Sequence, residues 1–420
     1  MKKIPITILA LVLAVSAGPL SGQSHKTFRD EFNEISGWRG LRVGPLKVLP
    51  LLRLSDVGYD DNVYYRDREE QPVADYTGTL SPQVRAAWLL GNSIILSAAE
   101  NPEYVYYMNQ ADLRTLTNSY TLESRVLLFR VLALSGGFES QRHLRQAYSE
   151  FDQQVEDTQE GFNASLFFET PRGTAIGVTG SSQDYSYLNI GLQEPDADYS
   201  QALDRRERTA AFEFYYRIFS QTLLFCSCGA SDYEFDDPAF AWRNARSTQA
   251  LVGLRFPGLG SVRGTLSLGY KRFVPEAADR KEFSGLVADT DLAARLGRLG
   301  LSLSFNRDNY FSYLDTAYYY VEDRLRCGLT FALLSFFRIE GSFQVGEWRY
   351  PDPQEVPYQG EDYLIASRRD VNRIFSVGFG FRVGANSWLS FSDNLYHRRS
   401  NAPGFDIDRN FIGATLEYDF

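Results

Sequence analysis

Thr209-Ala210-Ala211-Phe212-Glu213-Phe214-Tyr215-Tyr216-Arg217-Ile218 decides how the rest of the chain is read. Ala210, Phe212, Phe214, Tyr216 and Ile218 fall on one side of an extended backbone, and Thr209, Ala211, Glu213, Tyr215 and Arg217 fall on the other. A period of two is the signature of a β-strand with one apolar and one polar surrounding. The run is also long. Strands of soluble sandwiches average about five or six residues, and this one continues for ten or more.

The pattern recurs outward in both directions. Phe162, Ala164, Leu166 and Phe168 alternate with Asn163, Ser165 and Glu169; Phe337, Ile339, Phe343 and Val345 alternate with Arg338, Glu340, Ser342 and Gln344. Tight links such as Leu90-Gly91-Asn92, Thr170-Pro171-Arg172-Gly173, Ser220-Gln221 and Gly384-Ala385-Asn386 take turns with long, acidic, Tyr-rich ones at 60–75, 191–204, 232–242 and 350–362. Counting through gives 18 strands, the first at 46–60 and the last at 405–420, within a range of 16 to 20. Long alternating strands with short turns on one side and long loops on the other predict an all-β fold, a single transmembrane antiparallel β-barrel.

Composition agrees. Of 420 residues, 26 are Tyr and 30 Phe, with only 3 His and 2 Met, and the formal charge is -10. That charge excludes nucleic acid as a partner. Met1-Lys2-Lys3 followed by the apolar run Ile4–Val15 and Ser16-Ala17 reads as an export signal over 1–17, with cleavage after Gly22 as the later alternative. Removing it leaves a short periplasmic segment at 18–44 and the barrel at 45–420. Twelve apolar residues are too few to span a bilayer as a helix, which needs about 20.

Ile412, Ala414, Leu416, Tyr418 and Phe420 form the apolar face of the last strand. A terminal aromatic on such a strand resembles the insertion signal of outer-membrane barrels, which makes Leu416, Tyr418 and Phe420 the contact with the barrel-insertion machinery. The segment Val43-Gly44-Pro45-Leu46-Lys47-Val48-Leu49-Pro50, followed by Gly58-Tyr59-Asp60-Asp61-Asn62-Val63-Tyr64, resembles the opening of the β-barrel porin-2 group. The resemblance implies a cell outer-membrane barrel in contact with lipid and lipopolysaccharide. Because some members are associated with polysaccharide export, it also implies such a system as a partner.

Chemistry-bearing clusters are sparse. His143 and His397 fall on distant strands, so no nucleophile–base pair is predicted, and no enzyme, cofactor or metal site follows from the residues. The acidic pairs Asp60-Asp61, Asp236-Asp237 and Glu361-Asp362 lack a complete Ca²⁺-loop pattern and read as solvated loops. Gly378 and Gly380 read as room for bulkier neighbours. Cys226, Cys228 and Cys327 lack the spacing of a metal or redox site and read as wall residues.

The polar strand faces carry the functional expectation. Arg125, Glu213, Arg217, Arg255, Arg263, Lys271, Asp289, Asp291, Arg295, Arg324, Arg326, Arg338, Glu340 and Arg382 are the pore-lining candidates. Charges of both signs on such a wall fit either a water-filled lumen with a transverse field or a set of ion pairs that closes it. An 18-strand interior is too wide for wall side chains alone to fill, which favours a porin-like channel for small hydrophilic solutes or a secreted glycan, with weak cation preference from its acidic loops, unless loops or the segment 18–44 fold inside. The alternative is a non-conducting structural or surface-interaction barrel that binds through its acidic Tyr-rich loops.

Overall fold

In the strand Arg205–Phe219 the even-numbered residues Phe212, Tyr216 and Ile218 are exposed, whereas Ala211 and Tyr215 are buried. One side of the wall therefore meets lipid and the other meets the interior. The computed structural model describes residues 26–38, 40–145, 155–189, 203–219, 222–257, 261–278, 280–312, 317–358 and 361–419. The expected export signal at 1–17 and Phe420 lie outside the described residues.

Eighteen wall strands follow one another in chain order: Leu46–Asp60, Asp75–Leu90, Ile94–Tyr107, Thr115–Leu128, Leu132–Arg145, Val155–Glu169, Ala175–Asn189, Arg205–Phe219, Thr222–Phe235, Ala245–Pro257, Val262–Pro275, Phe283–Leu296, Leu299–Phe311, Tyr319–Leu334, Phe337–Arg349, Arg369–Arg382, Ser387–Ser400 and Ile407–Asp419. Each pairs antiparallel with its neighbours, and the last pairs with the first, Leu54 opposite Leu416 and Tyr59 opposite Ile412, so the sheet closes without an edge. A three-residue strand, Leu41–Val43, folds back on the start of the first wall strand. A small hairpin, Gln354–Tyr358 with Glu361–Ile365, stands on one of the long loops. The count and order are those expected from the period-two pattern.

Short links join the strands at one end and long loops at the other, which sets the first end toward the periplasm and the second toward the outside. On the outer face Leu268, Tyr270, Phe375, Val377, Leu416 and Tyr418 are exposed to lipid. Above this apolar band the outward residues become ion pairs: Arg206–Asp184, Arg272–Glu282 and Arg307–Asp323, at 2.5, 2.8 and 3.0 Å. Two carboxylates interrupt the apolar band itself. Glu100 stands between Val84 and Tyr120, and Asp393 between Val377 and Ile412. Cys226, Cys228 and Cys327 are free and exposed on this outer face.

Candidate functional site: the lumen and its periplasmic mouth

The segment before the wall contains one helix, α1 (Phe28–Ser36), with Thr27 as its N-cap accepting from the Asp30 amide. Phe28, Phe32 and Ile35 recur at helical spacing and make one apolar face. That face packs on Ala87, Ile95, Leu127, Ala133, Phe167, Ala175, Tyr215 and Phe225. All eight point inward and all lie near the periplasmic ends of their strands, so α1 sits inside the barrel, just within its periplasmic mouth.

Wall charges hold both ends of the helix. The Phe28 amide donates to both oxygens of Glu169, at 3.1 and 3.0 Å. At the other end the buried Lys47 donates to the carbonyls of Ile35, at 2.8 Å, and Ser36. An anion at the N-terminus and a cation at the C-terminus both complement the helix dipole. Between them Arg125 pairs with Glu31 at 2.6 Å and donates to the Lys26 carbonyl at 3.0 Å. Burial of Glu31 outweighs this pairing, and repulsion from Glu123 adds to it, so the Glu31 carboxyl is held above its ordinary pKa.

All fourteen pore-lining candidates project from the inner face. They divide by partner. Arg125 faces α1 through its pair with Glu31, and Arg255 is buried opposite Leu223, close to the Phe225 that receives the helix. Lys271 is buried against Asp308 at 2.8 Å, and Arg324 grips Glu322 through two bonds of 2.8 and 2.6 Å. Arg338 pairs with Glu340 and lies over the Trp388 ring at 4.3 Å. Gly380 gives it space, since a Cβ there would come within 3.1 Å of the guanidinium. Glu213 accepts from Thr179 at 3.3 Å and from Tyr215 at 2.6 Å. Arg217 lies against Gly173, whose φ of 83° no larger residue takes easily, and Arg382 donates to the Ala385 carbonyl. Among the described residues Arg263, Arg295, Arg326, Asp289 and Asp291 form no ion pair.

The outer mouth is narrowed differently. Tyr233, Phe273, Phe283, Tyr318 and Tyr319 form a buried aromatic cluster, and Phe311 packs edge-on against Tyr233 and Phe273 at 5.3 and 5.4 Å. The Arg205 guanidinium reaches across to this cluster, 5.0 Å from the Phe311 ring. Tyr318 ties two loops together by donating to the carbonyls of Arg243 and Asn244, at 2.6 and 2.9 Å. Burial pushes its phenol well above the usual range. The acidic pair Asp60-Asp61, expected in a solvated loop, instead fastens the seam between the first and last strands, Asp60 buried and accepting twice from Arg409 at 2.9 Å and Asp61 accepting from the Asn410 amide. His397 pairs with Asp408 at 2.7 Å on the outer face, away from the lumen.

Glu169 and Lys47 are absent from the pore-lining candidates, because each looks like one more polar wall residue. The signal was present in the segment 28–36, where Phe28, Phe32 and Ile35 mark a helix with an apolar face, and such a face requires a receptacle.

No curated protein is similar to this chain at a meaningful level. Among solved structures it is similar to the OpdK outer-membrane protein of Pseudomonas aeruginosa bound to vanillate, at 13% identity and TM-score 0.49, over 89% of this chain and 98% of that one. It is similar to OccK2 (OpdF) of the same organism in complex with glucuronate, at 15% identity and TM-score 0.49, over 91% and 99%. It is also similar to the FrpB iron transporter of Neisseria meningitidis, at 13% identity and TM-score 0.46, over 86% of this chain but only 62% of the transporter. The family described as Putative beta-barrel porin 2 matches residues 37–420, which include every wall strand, and the chain belongs to that family.

Proposed function

We propose that this outer-membrane barrel is a non-enzymatic, porin-like channel that passes small hydrophilic solutes or a secreted glycan, with α1 narrowing its periplasmic mouth. The observation that carries the reading is the inner face of an 18-strand wall, on which, among the described residues, Arg263, Arg295, Arg326, Asp289 and Asp291 form no ion pair. A sealed interior would pair them, because an uncompensated charge in a dry interior is strongly unfavourable, whereas a wet lumen solvates them. The outward ion-pair belt at Arg206–Asp184 and Arg272–Glu282, beyond the apolar band, supports lipopolysaccharide headgroups as neighbours of the wall.

Single-channel recording in planar bilayers tests this. The full chain is expected to give small steady steps, and a chain lacking residues 18–44 larger ones. Silence from both would replace the channel with a barrel that binds through its outer loops.

A further inference from the structure

Arg255, Arg263 and Arg295 lie on three consecutive wall strands, Ala245–Pro257, Val262–Pro275 and Phe283–Leu296, each within a few residues of its periplasmic end and each pointing inward. They form a basic arc across the mouth. One end is covered: Arg255 is buried, opposite Leu223 and two residues along the wall from the position facing Phe225, one of the residues that receive α1. The other end is open. Arg263 and Arg295 are exposed to the lumen with no ion pair among the described residues. The inward acid nearest in register is Asp291, opposite Thr265, and it reaches neither of them.

The helix on this arc is itself acidic. Its sequence, Phe28-Arg29-Asp30-Glu31-Phe32-Asn33-Glu34-Ile35-Ser36, has three carboxylates against one guanidinium. Asp30 and Glu34 are one turn apart and so share a face. α1, with Glu34 paired to Lys26 at 2.8 Å, therefore brings carboxylates near one end of a row of guanidiniums whose other end has no ion pair among the described residues. Guanidiniums hold carboxylates by paired, charge-assisted hydrogen bonds, and a cleft of one charge sign concentrates ions of the other.

We propose that the Arg255–Arg263–Arg295 arc is a binding site for a multivalent organic anion, a chain bearing several carboxylates that enters from the periplasm, and that α1 is its built-in competitor. This rests on the channel reading above and gives that channel a substrate class and a form of regulation. The anion first engages the open Arg263 and Arg295. It then extends onto Arg255 in competition with the carboxylates of the helix, and the helix leaves the mouth. The acidic outer loops carry the opposite sign, so the two mouths differ in which ions they gather.

The probe is a linear hexamer of galacturonic acid, with neutral maltohexaose as control, applied to the full-length protein in detergent and in bilayers. Calorimetry should show binding of the hexamer and none of maltohexaose. Arg263→Gln with Arg295→Gln should weaken binding by about tenfold or more, the equivalent of about 1.4 kcal/mol, while Arg263→Lys with Arg295→Lys should keep most of it. Hydrogen exchange at the amides of 28–36 should quicken as the hexamer saturates. Equal affinity in the glutamine variant, or helix exchange unmoved at saturation, would overturn the proposal. If the hexamer binds and frees the helix while the protein stays silent in bilayers, the channel reading fails and the site stands. If conductance is steady but the hexamer neither binds nor blocks, the site fails and the channel stands.

Discussion

The amide of Phe28 is held by both carboxylate oxygens of Glu169, a residue 141 positions away on the wall. With Lys47 at the other end of the helix, this clamps α1 by its two dipole ends, and the apolar face of Phe28 and Ile35 fills the space between.

Removing either clamp should free the helix without unfolding the barrel. Glu169→Gln keeps the shape and loses the charge, and Lys47→Met does the same at the other end. Each should weaken docking by about 1–2 kcal/mol. Hydrogen exchange at 28–36 should then rise roughly 5–30-fold, with no change in the amides of Arg205–Phe219. Exchange that stays slow in both variants would mean the apolar face alone holds α1.

Acid should tighten the same contact. Because the Glu31 carboxyl is held above its ordinary value of 4.5 in the docked helix, docking takes up a proton. The resulting stabilisation is complete below that ordinary value and is lost as pH rises through the higher docked value. Helix exchange, corrected for its intrinsic pH dependence, should slow as pH falls from neutral toward 4. Glu31→Gln should flatten this dependence, and a slope that survives the substitution would assign it elsewhere.

The lipid face offers a paired test. Phe214→Arg puts a cation in the apolar band and should cost about 2–4 kcal/mol in folding into bilayers, while Ser304→Arg on the inner face should cost little. Val377→Arg should fall between them, because Asp393 stands directly opposite and can pair with the new charge. Equal cost for Phe214→Arg and Ser304→Arg would put the strands in the wrong register.

Lys271 and Asp308 test the interior. Lys271→Ala strands a carboxylate beside Tyr233 and Tyr310 and should lower stability by about 3 kcal/mol or more, read as loss of the heat-modifiable gel shift at lower urea. Lys271→Met with Asp308→Leu should recover most of it. A double variant as weak as the single would show that the pair contributes more than mutual neutralisation.

The wall was legible in the sequence because each strand lies between two unlike surroundings, so alternation such as Phe212-Glu213-Phe214 records both faces at once. Turn positions followed from Gly91, Gly173 and Gly384, all at positive φ. What alternation does not carry is the contact between elements that differ in period. Phe28 and Glu169 belong to a helix and a strand, and neither pattern names the other. It was equally silent on Asp393 and Glu100, where one polar residue in an apolar series looks like noise until its lipid-facing position is known. Arg263 and Arg295 were legible as inward residues, but their standing open beside a buried Arg255 required the helix to be placed first.

The pairing of the last strand with the first has a consequence for assembly. Arg409 meets Asp60 across that seam, 349 positions apart in the chain. Contacts so distant in sequence form late, after most of the chain entropy has been lost locally. The residues that receive α1, from Ala87 to Phe225, all precede the closing strand, and α1 is tethered through Leu41–Val43 to the strand that forms one lip of the seam. The helix can thus be laid on a curled, still open sheet and enclosed when the lips zip together, so the wall never has to be threaded by its own plug.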